Sequence, residues 1–230
     1  MEYCKRLIRL IFGLFLFALG TYFLIHANIG LAPWEAFAMG FTMRTGISFG
    51  NMTILVGIVI LGIDFLLKEK IGVGTILNTI LVGKFIDLLE SLDWIPLLDS
   101  LWLGIPLLLL GEFVLCIASY FYIGAAMGCG PRDSLMVAAC RKLPRVPVGV
   151  IRGGVEGTAL LVGWLLGAKI GLGTVIAVFG IGLFMQLTFR VLHFDVTAVA
   201  HEGLVDTWRL LRKPAKAGDD SSPLDETVQK

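Results

Sequence analysis

Gly30-Leu31-Ala32-Pro33-Trp34-Glu35 returns 98 residues later as Gly128-Cys129-Gly130-Pro131-Arg132-Asp133, with glycine, proline and acid in the same places. Outward from this pair the correspondence continues. Gly13-x-Phe15 and Thr21-Tyr22-Phe23 match Gly111-x-Phe113 and Ser119-Tyr120-Phe121 at the same offset. After a one-residue insertion Gly50 matches Gly149, and Gly83-x-Phe85 matches Gly182-x-Phe184. Between them, Lys70-Ile71-Gly72-Val73-Gly74-Thr75 matches Lys169-Ile170-Gly171-Leu172-Gly173-Thr174. Apolar composition alone does not place so many distant glycines in register. The chain therefore reads as a duplication, with one copy over 1–100 and the other over 101–192.

Composition says where such copies live. Of 230 residues, 57% are apolar and 16% charged, against roughly a quarter charged in soluble domains. Six apolar runs stand out, at about 6–27, 50–67, 72–91, 102–124, 149–167 and 171–191. Each is long enough to cross a hydrocarbon core roughly 30 Å thick. Residues 1–27 have the basic start of a signal peptide but no small-residue cleavage site, and their pattern recurs internally; they read as a retained first span. Twenty-eight glycines, mostly inside apolar stretches, predict helices packed backbone to backbone.

Each copy also holds a shorter segment opened by proline, from Pro33 and from Pro131. Proline suits the first turn of a helix, where its missing N–H has no partner to lose. Glu35 and Asp133 then fall in the first turn, at the positive end of the helix dipole. Both segments are too short to span, so they are read as half-helices, re-entrant or interfacial. Each copy then has three spans, an odd number that inverts the second copy. With the N-terminus cytoplasmic, Lys5, Arg6, Arg9, Lys68, Lys70, Arg132, Arg141, Lys142, Arg145 and Arg152 all collect inside, which the positive-inside rule favours. The expected fold is an all-α membrane protein: six transmembrane helices in two inverted three-helix repeats, each with a short Pro-initiated half-helix. Residues 193–212 suit a short interfacial helix, and 213–230 a disordered cytoplasmic tail.

Short helices at matching positions of two halves are a sequence pointer to a transport site. The candidate binding residues are accordingly Gly30, Pro33, Trp34, Glu35, Gly130, Pro131, Arg132 and Asp133. Their free N–H groups suit an anion, assisted by Arg132; the alternative is that proline turns the chain and the acid caps the helix. Lys84, Asp87 and Glu112 complete the candidates, because charge inside a span is costly and should face protein or a wet cavity. Asp87 lies one turn from Lys84 and Glu112 is within reach of it, so a structural ion pair is the competing explanation. The matching residues of the other copy are Leu183, Gln186 and Leu14, so these charges break the repeat. Arg152 with Glu156, and Asp64 with the Lys68–Lys70 cluster, read as interfacial ion pairs, and Tyr22 and Tyr120 as belt aromatics.

Neither GxxxxGK[ST] nor HExxH occurs, and no Ser/His/Asp grouping has a credible arrangement at membrane depth, so no enzyme activity and no ATP drive are expected. The four cysteines and three histidines lack metal or redox spacing, and no cofactor is expected. No basic stripe supports nucleic-acid binding. The expected partners are membrane lipids and a small molecule, with a homo-oligomer or a second membrane protein left open.

The Gly-x-x-Pro-Trp-Glu and Gly-Pro-Arg-Asp-Ser-Leu segments, with the repeated Lys-Ile-Gly-x-Gly-Thr, resemble the YczE/YyaS/YitT group of bacterial multi-pass membrane proteins over roughly residues 5–192. Gly128, Gly130, Pro131 and Asp133 match that group's Gly-Pro-x-Asp motif. Without the soluble C-terminal domain of YitT-type members, the chain is expected nearer the YczE side. The resemblance implies a bacterial cytoplasmic-membrane protein and supplies no activity. From the residues themselves the expected function is a secondary carrier or exporter of a small amphiphilic or anionic molecule. The alternative is an accessory or regulatory protein serving another membrane system.

Overall fold

A computed structural model describes residues 2–194 together with 199, 202 and 203. The expectations for 193–212 and 213–230 fall outside the described residues, apart from those few positions. Among the described residues there are eight α-helices and no strand. They are α1 (Glu2–Ala27), α2 (Pro33–Thr45), α3 (Phe49–Leu66), α4 (Val73–Leu92), α5 (Leu101–Gly124), α6 (Pro131–Lys142), α7 (Val148–Leu165) and α8 (Leu172–Val191). Five of them, α1, α3, α5, α7 and α8, are long and apolar enough to cross a membrane. The sixth expected span, α4, is 20 residues long like α8 but carries Lys84, Asp87 and Glu90. The half-helices α2 and α6 are 13 and 12 residues long, about 20 Å at 1.5 Å per residue.

The first helices of the two copies, α1 and α5, form the most extensive contact, and they run antiparallel. Gly13 lies against Tyr122, Gly20 against Gly111, and Ala27 against Gly104. A methyl group on Gly20 would sit 2.9 Å from the Gly111 carbonyl oxygen, and one on Gly111 would sit 2.9 Å from that of Gly20. Only glycine at both positions allows this approach.

The two repeated motifs dock on one another across the copies. Gly74 N–H donates to the Met127 carbonyl (2.7 Å), and its counterpart Gly173 N–H donates to the Ile29 carbonyl (2.8 Å). Thr75 and Thr174 accept from Gly72 N–H (3.1 Å) and Gly171 N–H (3.3 Å). The first N–H groups of α4 and α8, which have no partner within their own helices, are thus satisfied by the other copy's loop and by a first-turn threonine. Gly30 (φ +127°) and Gly128 (φ +125°) make these sockets possible, since L side chains rarely adopt that backbone. α2 packs on α7 and α3 on α6, again across copies. α3 also packs on α4, whereas α7 and α8 hardly touch. Phe179, Leu183 and Leu187 of α8 and Leu55, Ile58 and Val59 of α3 stand exposed, a surface suited to lipid.

Candidate functional site

A cavity of about 240 Å³ lies where the copies meet. Its walls come from matching positions of both: Phe17 and Leu115, Leu24 and Tyr122, Pro33 and Pro131, Trp34 and Arg132, Glu35 and Asp133, Asn78 and Ala177. Both half-helices begin at this cavity and run away from each other. α2 ends with Arg44, whose Nε donates to the Leu166 carbonyl beyond α7 (3.1 Å). α6 ends with Arg141, paired to Glu69 beyond α3 (3.0 Å).

Of the expected site residues, Pro33, Trp34, Glu35, Gly130, Pro131, Arg132, Asp133 and Glu112 line this cavity. Arg132 pairs with Glu35 at 3.1 Å and lies 5.2 Å from the centre of the Trp34 ring. The two half-helix starts are therefore joined by a salt bridge and a cation–π contact. Tyr122 OH donates to Asp133 Oδ2 (2.8 Å). Glu112 is fully buried in the middle of α5, and neither carboxylate oxygen has a hydrogen-bond partner. It fits because α8 has a glycine opposite: a methyl on Gly180 would lie 2.6 Å from Glu112 Oε2.

The remaining three candidates lie elsewhere. Gly30 shapes the socket for Thr174 and does not line the cavity. Lys84 is exposed and donates to Asn51 Oδ1 (2.8 Å); it neither pairs with Asp87 nor reaches Glu112. Asp87 accepts from Ser48 OH and from Gly50 N–H, both at 2.8 Å. Together Lys84 and Asp87 fasten the start of α3 to α4. The reason is local: the first turn of α3 offers unpaired N–H groups and the polar side chains of Ser48 and Asn51.

Other expectations also shift. Arg152 and Glu156 do form the i, i+4 pair (2.8 Å), but both line the cavity instead of simply marking an interface. Asp64 is fully buried with both oxygens unpartnered, so it is no surface ion pair with the Lys68–Lys70 cluster. Tyr22 is no belt residue either: it is fully buried and its hydroxyl accepts from Ile95 N–H (3.1 Å). Asn78, Ser119 and Tyr122 are cavity residues that sequence reasoning passed over; polarity within apolar helices was their available signal.

Beside the cavity, and sharing Trp34 and Val155 with it, lies a groove of about 880 Å³ between α2, α3, α6 and α7. Its lining side chains are apolar except for Thr158 and the indole of Trp34. A charged chamber thus adjoins an apolar trough.

Residues 4–190 match a family of unknown function, DUF6198. The chain belongs to that family. It is similar to the uncharacterized membrane protein YczE of Bacillus subtilis, 31% identical over 178 residues, covering 76% of this chain and 81% of that one. It is also similar to an uncharacterized protein of Haemophilus influenzae, 27% identical over 188 residues and covering 82% and 85% of the two chains. No solved structure matches. The resemblance carried by the proline loops is therefore borne out, and the chain is a multi-pass integral membrane protein of a YczE-like family.

Proposed function

We propose that this chain is a secondary carrier that moves a small amphiphilic molecule across the bacterial cytoplasmic membrane. Its six spans form two inverted three-helix repeats, with α4 as the sixth span and both termini cytoplasmic. Each half-helix is re-entrant, starting at the central cavity and returning to one side of the membrane. One observation carries this: the cavity is walled by the same positions of both copies, half-helix starts included, which is where inverted-repeat carriers hold their substrates. The adjoining apolar groove supplies room for a hydrocarbon portion, hence an amphiphile. An anionic substrate loses its anchor, because Glu35 and Asp133 occupy the half-helix starts and Arg132 is already paired with Glu35. The chain has no catalytic role in this scheme, and its coupling needs no cofactor.

The runner-up, an accessory protein, draws on one feature of α7. Gly149, Gly153 and Gly157 are spaced every fourth residue and have nothing within 4 Å, a spacing used for close contact with another membrane helix.

Flux of fluorescent amphiphiles into proteoliposomes, with Arg132→Ala as the control, separates the two. The carrier is expected to lose flux with Arg132→Ala. Absence of flux for every amphiphile tested, with co-purification of a stable membrane partner, would overturn it. Inversion has its own test in a cysteine-free background: Thr45→Cys and Pro144→Cys should label from opposite sides of the membrane. Same-side labelling sinks the inverted arrangement.

A further inference from the structure

Four carboxylates, Glu35, Glu112, Asp133 and Glu156, line the cavity against two guanidiniums, Arg132 and Arg152. Glu35 and Glu156 are each paired with an arginine, and Asp133 accepts from Tyr122. Glu112 alone has nothing, although it is fully buried. An ionised carboxylate left unpaired in such a place is strongly disfavoured by lost hydration, so a positive charge must accompany it. The companion is a proton or a cation. The first copy shows what the same position holds when no charge is needed there. Leu14 stands where Glu112 does, buried in the apolar core, and Leu81, where Gly180 does, packs against that core. The second copy differs at both positions, with a carboxylate at one and the space to hold it at the other.

We propose that Glu112 is a cation-exchange site within the cavity, alternately carrying a proton and pairing with the positive head of an amphiphilic organic cation. The inference rests on the cavity being the substrate site. Binding transfers no group: the O–H bond of Glu112 breaks, the proton leaves to water, and the carboxylate faces the ammonium head as its tail lies in the Trp34–Val155 groove. Return of a proton releases the cation. Cys116 is the titratable group on the same helix one turn away. Tyr122 lines the cavity farther along that helix; across the cavity stand Glu35, Arg132, Asp133, Arg152 and Glu156, whereas α8 presents Gly180 and Ile181 and α1 presents Phe17 and Leu24.

The test uses the purified full chain in non-ionic detergent, with dodecyltrimethylammonium as probe and dodecanoate as its anionic match. The quaternary head has no proton to give, so any acid released on binding comes from the protein. The wild type is expected to prefer the cation and to release about one proton per cation bound. Glu112→Gln, which keeps the shape, is expected to abolish the release and weaken cation binding at least about tenfold. Gly180→Ala, which retains the carboxylate but crowds it, is expected to weaken binding with folding intact, as read by thermal unfolding. Preference for dodecanoate, no binding of either probe, or unchanged proton release in Glu112→Gln each overturns the proposal. Binding with proton release but no flux in proteoliposomes would overturn the carrier and leave this site standing.

Discussion

The seam between α3 and α4 and the seam between α7 and α8 occupy equivalent places in the two copies, yet one is closed and the other open. At the first, Gly50 lies on the backbone of Gly83, and Ile54 fills the space beside it. Asp87 binds Ser48 and Gly50, and Lys84 binds Asn51. At the second, Gly149 and Gly182 keep the glycines but have nothing within 4 Å. The polar fasteners are gone: Pro147, Val150, Leu183 and Gln186 replace Ser48, Asn51, Lys84 and Asp87. Glycine permits close approach; it does not enforce it. The side chains that hold the helices together are what the second copy lacks, so its seam is the looser of the two.

The difference is breakable by substitution. Gly83→Val should be the most damaging change, costing about 3 kcal/mol or more, because the new side chain meets the Gly50 carbonyl. Its counterpart Gly182→Val should stay within about 0.5 kcal/mol. Thermal unfolding in detergent measures both, and equal losses would mean that the seams are alike in solution. The loop sockets supply the symmetric control. Gly30→Ala and Gly128→Ala should each cost about 2 kcal/mol, since both force a side chain into a positive-φ backbone against a threonine. If one is silent in the same assay, the sockets are not equivalent. Asp87→Ala removes two hydrogen bonds from the closed seam and should cost about 1.5 kcal/mol, whereas Gln186→Ala should cost nothing measurable. Hydrogen exchange at the start of α3 should rise in the first variant and stay unchanged in the second. Lys84→Leu, which installs the residue of the other copy, should change stability by about 0.5 kcal/mol or less, because Lys84 is exposed. A large loss of flux in that variant would return Lys84 to the site.

Much of the fold was legible before any coordinates. The long helices begin and end within a few residues of the apolar runs, and Pro33 and Pro131 open α2 and α6 as their chemistry requires. The candidate site was legible in part. Residues flanking the two prolines came together because they belong to matching loops, and Glu112 was visible as a charge in an apolar span. Lys84 and Asp87 carried the same signal as Glu112 but face a neighbouring helix start. A buried charge announces that it needs a partner without naming one.

Local chemistry alone determined the helices, the half-helix starts and the membrane setting, because each depends on residues near one another in the chain, and the duplication is written in the sequence as a constant offset. Tertiary structure decided which loop carbonyl caps which helix, that Glu35 and Arg132 meet 97 positions apart, and that Glu112 is left without a partner. Those outcomes depend on how two copies of one motif are placed in space. The same glycines and prolines serve both copies, so the choice falls to the packing of α1 on α5 and to the few residues where the copies differ.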